Sequence, residues 1–205
     1  MPFFVERNLY KNPLYTLRRE GLRYMTDMNI ENIVASTQIA DGLDIKQLAD
    51  VLHDSKYDPE KFPGLVLHLE KPKTALLLFS SGNVICTGAK NMEEVYDAIR
   101  QLTNKLKSAG TTVFEMPEIK TQNIVTSSDF KKDLQLSSVA KVLLLENVEY
   151  EPEQFPGLVY RMDNLGVVLL LFSSGKLVCT GAKKLEDATT AIDAMKDKLS
   201  SMGVL

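Results

Sequence analysis

The sequence predicts an α+β protein made of two copies of one unit, related by a pseudo-twofold axis and sharing one continuous antiparallel sheet with its helices on one face. Three observations carry this. First, the stretch YDPEKFPGLVLHLEKPKTALLLFSSGNVICTGAK from Tyr57 to Lys90 returns as YEPEQFPGLVYRMDNLGVVLLLFSSGKLVCTGAK from Tyr150 to Lys183, with twenty of 34 aligned positions identical. The spacing between Phe62 and Phe155, Phe79 and Phe172, and Thr87 and Thr180 is 93 throughout, so this is an internal duplication rather than a shared composition. Second, each copy reads strand, short helix, several strands, long helix. Third, each copy contains only enough amphipathic helix to cover one face of its sheet.

Taken in order, residues 1–28 match nothing in the repeats. They mix Arg7, Lys11, Arg18, Arg19 and Arg23 with Tyr10, Tyr15 and Tyr24, and Pro13 interrupts any long helix. Three readings stand: a poorly ordered extension, an upstream start ahead of Met25 or Met28, or a basic arm that touches a partner. The first repeat is assigned to residues 29–113. NIENIVAST alternates as a strand, Asp41-Gly42 turns, and Asp44 caps the short helix DIKQLADVLH through Ile45, Leu48, Ala49 and Leu52 on one face. Pro59 and Pro63-Gly64 punctuate a loop; LVLHL, TALLLF and NVICTG are strands, the last two joined at Ser81-Gly82. Asn91 and Glu94 form a capping box for a helix whose stripe is Val95, Ala98, Ile99, Leu102 and Leu106, ended by Gly110.

The second repeat, residues 114–205, repeats the order with EIKTQNIVTS, LSSVAKVLLL, the duplicated core, and a closing helix carrying Ala188, Ile192, Met195 and Leu199. Asn32 and Asn123 are 91 apart rather than 93, which puts a two-residue length change in the turn or short helix, where a fold tolerates it best.

Composition bounds the function. The chain is 44% hydrophobic and 25% charged over 205 residues, the balance of a soluble globular protein. Its apolar runs are strand-sized, too short to span a bilayer, and the N-terminus lacks the apolar core of a signal peptide. Cys86 and Cys179 occupy equivalent strand positions, which favours two buried thiols in a reducing compartment over a disulfide. Two histidines and no CxxC pair suggest no metal site. A net charge of −3 argues weakly against nucleic acid, although a local basic rim survives such a sum. There is no phosphate-binding glycine loop, nucleophile–histidine pair or repeated carboxylate pair to support an enzyme.

Strand alternation divides the side chains between two faces. Ile33, Ala35, Leu76, Leu78, Val84 and Cys86 belong under the helices. The opposite set, Asn32, Val34, Leu77, Phe79, Ile85 and Thr87, is also largely apolar, and the second repeat supplies Asn123, Val125, Leu170, Phe172, Val178 and Thr180. A sheet apolar on both sides needs something on its second face: a third layer, a second copy, or a ligand. Asn and Thr recurring at one spot in both repeats fits a plain core poorly.

The duplicated FPGLV, LLLFSSG and CTGAK, each preceded by NIV and closed by an amphipathic helix, resemble the TATA-box-binding protein family, and YEPEQFPGL is most similar to its archaeal members. The resemblance runs from Asn29 to about Val204. It implies a saddle whose open face lies on the minor groove, the standard case of a duplex kinked by about 80° by apolar wedges. By residue, it implies wedging by Phe62 and Phe79 at one end and Phe155 and Phe172 at the other. Asn32, Asn123, Thr87 and Thr180 take the central polar role, Val34, Val125, Leu77, Leu170, Ile85 and Val178 the close apolar contacts, and Lys90, Lys183, Lys176, Arg161, Ser81 and Ser174 the phosphates. Glu151, Glu153 and Gln154 match the loop on which the family docks transcription factor B, with RNA polymerase following. The resemblance implies promoter DNA as ligand, no cofactor, and a cytoplasmic, nucleoid-associated location in an archaeon, or a nuclear one in a eukaryote.

Departures from the pattern matter. Where repeat two has Gln122, Arg161 and Lys176, repeat one has Glu31, His68 and Asn83, which predicts a weaker phosphate grip there. Asn83→Lys is expected to steepen the log–log salt dependence by about 0.9. Asn164-Leu165-Gly166 replaces the KPK turn, which leaves that loop's contacts open. A saddle-shaped paralogue acting through protein contacts or at non-TATA promoters is the alternative function.

Overall fold

The computed structural model describes residues 27–115, 117–143 and 147–205; the readings of the N-terminal extension concern residues that lie almost wholly outside these. The first repeat runs β1 (Met28–Gln38), α1 (Ile45–Val51), β2 (Ser55–Tyr57), β3 (Leu65–Glu70), β4 (Lys73–Leu78), β5 (Asn83–Ala89) and α2 (Met92–Ser108). The second runs β6 (Ile119–Asp129), α3 (Leu136–Val142), β7 (Val148–Glu149), β8 (Leu158–Met162), β9 (Val167–Leu171), β10 (Lys176–Ala182) and α4 (Leu185–Ser201). All strands join one antiparallel sheet in the order β2-β3-β4-β5-β1-β6-β10-β9-β8-β7.

The pseudo-twofold axis can be read from the register of the seam. Ile33 pairs with Ile124, its own copy, flanked by Asn32 with Val125 and Val34 with Asn123. The register shifts once on each side, between Ile30 and Asn32 and between Val34 and Ala35. Exchanging the two repeats therefore maps the seam onto itself.

Local chemistry accounts for the helices. Asp44 accepts the Gln47 amide at 3.0 Å and starts α1. Asn91 Oδ1 accepts the Glu94 amide at 2.8 Å, while Glu94 Oε2 accepts the Lys90 amide at 2.7 Å. The reciprocal bond thus falls one residue ahead of a strict capping box. α2 closes as a Schellman motif, with Thr111 N–H donating to Leu106 O at 2.9 Å and Gly110 N–H to Lys107 O at 3.0 Å. The expected stripe Val95, Ala98, Ile99, Leu102 and Leu106 is buried, as are Ala188, Ala191, Ile192, Met195 and Leu199 on α4. They pack on two clusters, one per repeat, built from Leu65, Leu67, Leu76, Leu78 and Val84 in the first and Leu158, Leu169, Leu171 and Leu177 in the second. Each fully buried leucine contributes about 1.5–3 kcal/mol. Ile30 packs against both clusters and couples them across the seam.

Two features differ from the sequence reading. The tyrosines that open each duplicated stretch lie at the ends of very short outer strands: β2 ends on Tyr57, and β7 ends just before Tyr150. The length change lies after the short helix rather than in it. Two residues separate Leu52 from Ser55, whereas four separate Leu143 from Val148, and the apolar Leu144 and Leu145, read as helix, fall outside the described residues.

Candidate nucleic-acid interface

The sheet buries Ile33, Ala35, Leu76, Leu78, Val84 and Cys86 on its helix face, while Asn32, Val34, Leu77, Phe79, Ile85 and Thr87 remain partly exposed on the other. Asn123, Val125, Leu170, Phe172, Val178 and Thr180 are likewise partly exposed. Cross-strand pairing joins them into one band: Leu77 with Ile85, Ile85 with Ser36, Val34 with Asn123, Asn32 with Val125, Ser127 with Val178, and Val178 with Leu170. The pairing also brings in Val66 and Val159, opposite Leu77 and Leu170, and Ala75 and Val168, opposite Thr87 and Thr180. These four were not singled out from the sequence; the alternation of LVLHL with TALLLF carried the signal.

The asparagines are held by a device built from a bulge. Between the Ala35–Cys86 and Ile33–Ala89 pairs the register shifts, and Gly88 stands at φ +98°, a conformation that costs little only for glycine. Its N–H leaves the ladder and donates to Asn32 Oδ1 at 2.7 Å. Gly181, also at +98°, donates to Asn123 Oδ1 at 2.8 Å. A backbone N–H can only donate, so each carboxamide has its oxygen inward and its NH2 outward. That NH2 reaches Thr87 Oγ1 at 3.1 Å and Thr180 Oγ1 at 3.2 Å, and each hydroxyl lies within reach of the same asparagine's Oδ1, at 3.3 and 3.5 Å, so the second amide proton of each asparagine is the donor left to face outward. The centre of the open face is therefore a pair of fixed donor groups in apolar surroundings.

At each end two phenylalanines meet edge to face. The Phe62 and Phe79 rings are 5.7 Å apart at 66°, and Phe155 and Phe172 are 5.9 Å apart at 65°. A Cβ on Gly64 or Gly157 would lie 2.7 Å from the Phe62 or Phe155 ring, so the FPG sequence supplies a ring and the space it occupies. Phe155 is 36% exposed, although a large apolar ring is usually more deeply buried.

The rim carries the charges. Lys90, Lys176, Lys183, Arg161, Ser81 and Ser174 are all exposed. Ser81 accepts from Asn83 Nδ2 at 3.0 Å in the β4–β5 turn. Glu31 accepts from Ser127 Oγ at 2.6 Å and lies 3.7 Å from Lys90 Nζ; at the symmetric spot Gln122 donates to Ser36 Oγ at 2.7 Å. Arg161 Nε donates to Glu149 Oε1 at 3.2 Å. Glu149 sits where repeat one has Lys56, a difference of opposite sign that narrows, without reversing, the charge difference read between the repeats. Glu151 and Gln154 form an exposed turn, with the Phe155 amide donating to Glu151 O at 3.0 Å, and Glu153 is exposed beside them.

Cys86 and Cys179 are free thiols beneath the sheet, and burial pushes both up from 9.0 to about 11. Among the described residues, no group of three or more His, Cys, Asp or Glu could hold a metal ion, and no helix is long and apolar enough to cross a membrane.

Comparison with known proteins gives consistent matches. The profile of the family described as transcription factor TFIID, or TATA-binding protein, matches residues 27–109 and 118–202. The TATA-box-binding protein of Archaeoglobus fulgidus is 49% identical over 178 residues, covering 87% of this chain and 97% of that protein. That of Thermoplasma acidophilum is 52% identical over the same shares of each chain. The solved Methanococcus jannaschii structure of this family superposes with a TM-score of 0.78 at 49% identity, covering 85% of this chain and 98% of that one.

Proposed function

The chain belongs to the TATA-binding protein family, whose members are DNA-binding transcription factors and not enzymes, and from that premise we propose that its open sheet face binds the minor groove of A/T-rich promoter DNA. The observation that carries this is the donor pair fixed in an apolar band. A·T pairs present only acceptors in the minor groove, adenine N3 and thymine O2, whereas guanine adds its N2 amine. Asn32 and Asn123, held in place beside Thr87 and Thr180, supply donors to match those acceptors. Val34, Val125, Leu77, Leu170, Ile85 and Val178 supply a surface with no acceptor for the guanine amine, so a G·C pair would bury an unpaired donor at a cost of about 1–3 kcal/mol.

In this reading the two repeats, 29–113 and 114–205, act as equivalent halves. Phe62 with Phe79 and Phe155 with Phe172 insert at the two ends of the site and kink the duplex, and two wedges on one rigid sheet explain why the unit is duplicated. The edge-to-face packing of each pair, with room made by Gly64 and Gly157, supports a wedge that enters DNA without first rearranging. Lys90, Lys176, Lys183, Arg161, Ser81 and Ser174 form the exposed rim that lies along the phosphates. The exposed turn of Glu151, Glu153 and Gln154 docks transcription factor B, which brings RNA polymerase to a bent promoter in the archaeal nucleoid.

A gel shift comparing a TATA duplex with a G·C-substituted one tests the reading. Retarded TATA duplex with little retardation of the substituted duplex is expected. Equal binding to both, or none near physiological salt, favours a paralogue working through protein contacts.

A further inference from the structure

The open face carries a cation at an inner station beside the seam and at an outer station near the sheet edge in each repeat, and the carboxylates next to them are out of phase. At the inner station of repeat one, Lys90 faces Glu31 at 3.7 Å, and the Ser127 hydroxyl fixes that carboxylate at 2.6 Å. At the inner station of repeat two the lysine is Lys183, and the place of Glu31 is taken by Gln122, a neutral side chain committed to Ser36. The outer stations reverse this. In repeat two Arg161 is held by Glu149 at 3.2 Å, whereas repeat one has Lys56 in place of Glu149 and His68 in place of Arg161.

Register shows where Lys56 points. It pairs with Val66, while its neighbours Ser55 and Tyr57 pair with Leu67 and Leu65, both fully buried on the helix face. Paired residues of antiparallel strands share a face, so Lys56 lies on the open face with Val66 and is exposed. Among the described residues neither Lys56 nor Lys183 makes an ion pair. Lys90 and Glu31 cancel, as do Arg161 and Glu149, which leaves one uncompensated charge at the outer station of repeat one and one at the inner station of repeat two. Ion pairs this exposed are too weak to lock a cation in place. What the carboxylate does is hold a negative charge where a phosphate has to arrive.

Resting on the DNA-binding reading, we infer that Glu31 and Glu149 are negative determinants that assign phosphate contact to alternate stations, Lys56 in repeat one and Lys183 in repeat two. They thereby give a pseudo-symmetric face an electrostatic direction along the duplex. The two repeats thus differ in where along the DNA they grip, in addition to the cation Lys176 that repeat two carries where repeat one has Asn83.

Salt titrations of the full chain on one TATA duplex, read by fluorescence anisotropy, test this. Each lost phosphate contact lowers the log–log slope by about 0.9. Lys56→Gln and Lys183→Gln should each lose about that much, and Lys90→Gln and Arg161→Gln clearly less. Glu31→Gln and Glu149→Gln should steepen the slope by releasing Lys90 and Arg161, a gain that misfolding cannot imitate. Equal losses for all four cation variants, or no steepening in either glutamate variant, overturn the inference while leaving DNA binding intact. A wild-type chain without affinity for the duplex overturns the DNA reading itself.

Discussion

Gly181→Ala tests whether the bulge that holds Asn123 is as tight as its geometry indicates. At φ +98° an L side chain is strained by about 1–2 kcal/mol. The added Cβ would also lie 2.7 Å from Gly166 O and 3.3 Å from Val167 Cα. Both are backbone atoms, so relief requires moving the start of β9 rather than turning a side chain, a forced shift costing about 1–3 kcal/mol. Together these amount to about 2–5 kcal/mol of a total stability typically about 5–15 kcal/mol. At about 2–4 °C per kcal/mol for a fold of this size, Tm should fall by about 4–20 °C. Gly88→Ala shares the φ but first meets Lys73 O at 3.0 Å, and Gly166→Ala meets nothing within 4 Å, so the losses should rank Gly181, then Gly88, then Gly166. Differential scanning calorimetry reads the ranking. Competition between TATA and G·C-substituted duplexes should show Gly181→Ala losing discrimination, because the forced backbone shift carries the residue-181 N–H away from Asn123 Oδ1. If Gly181→Ala melts together with Gly166→Ala and discriminates like wild type, the bulge does not set the donor geometry.

Asn32→Asp keeps the acceptor for Gly88 N–H but removes the outward donors, so Tm should barely change while TATA affinity falls by about 1.5–3 kcal/mol, roughly 10–100-fold; unchanged affinity in an anisotropy titration would contradict the donor role. Both thiols have pKa values raised by burial, from 9.0 to about 11. The unfolded chain therefore releases their protons first, and stability is full below about pH 9 and lost as pH rises toward 11. Urea melts across that range should show the decline, reduced in Cys86→Ala and Cys179→Ala, and a thiol reagent should label both cysteines only on unfolding. Lys184 begins α4 without a side-chain cap, whereas Asn91 caps α2; Lys184→Asn should stabilise by about 0.5–2 kcal/mol, and a Tm at or below wild type would show that the helix end is satisfied in another way.

Much of this was legible in the sequence because the decisive patterns are local and occur twice. Alternation within TALLLF and NVICTG sorted Leu76 and Cys86 from Leu77 and Ile85, and the stripe from Val95 to Leu106 marked a helix for one face only. What stayed hidden depends on long-range pairing. The strands Ser55–Tyr57 and Val148–Glu149 are too short to show a period, so Lys56 and Glu149 did not stand out as rim residues, and a comparison of Glu31, His68 and Asn83 with their copies overstated the charge difference. Asn32 and Gly88 are 56 residues apart in sequence. Composition cannot reveal that an amide diverted by a bulge orients a carboxamide. The two-residue length change could be counted from Asn32 and Asn123, but only strand pairing showed that it follows the short helix.

Whether the open face reads the minor groove is decided by a duplex in which the A·T pairs of the site are replaced by inosine·cytosine. That substitution presents the major groove of G·C but removes the N2 amine, leaving a minor groove like that of A·T. This duplex should bind about as well as the TATA duplex and compete with it, while the G·C duplex should not. Rejection of inosine·cytosine and G·C alike would mean that the protein reads the major groove or the stiffness of the sequence, and the donor pair on the open face would need another partner.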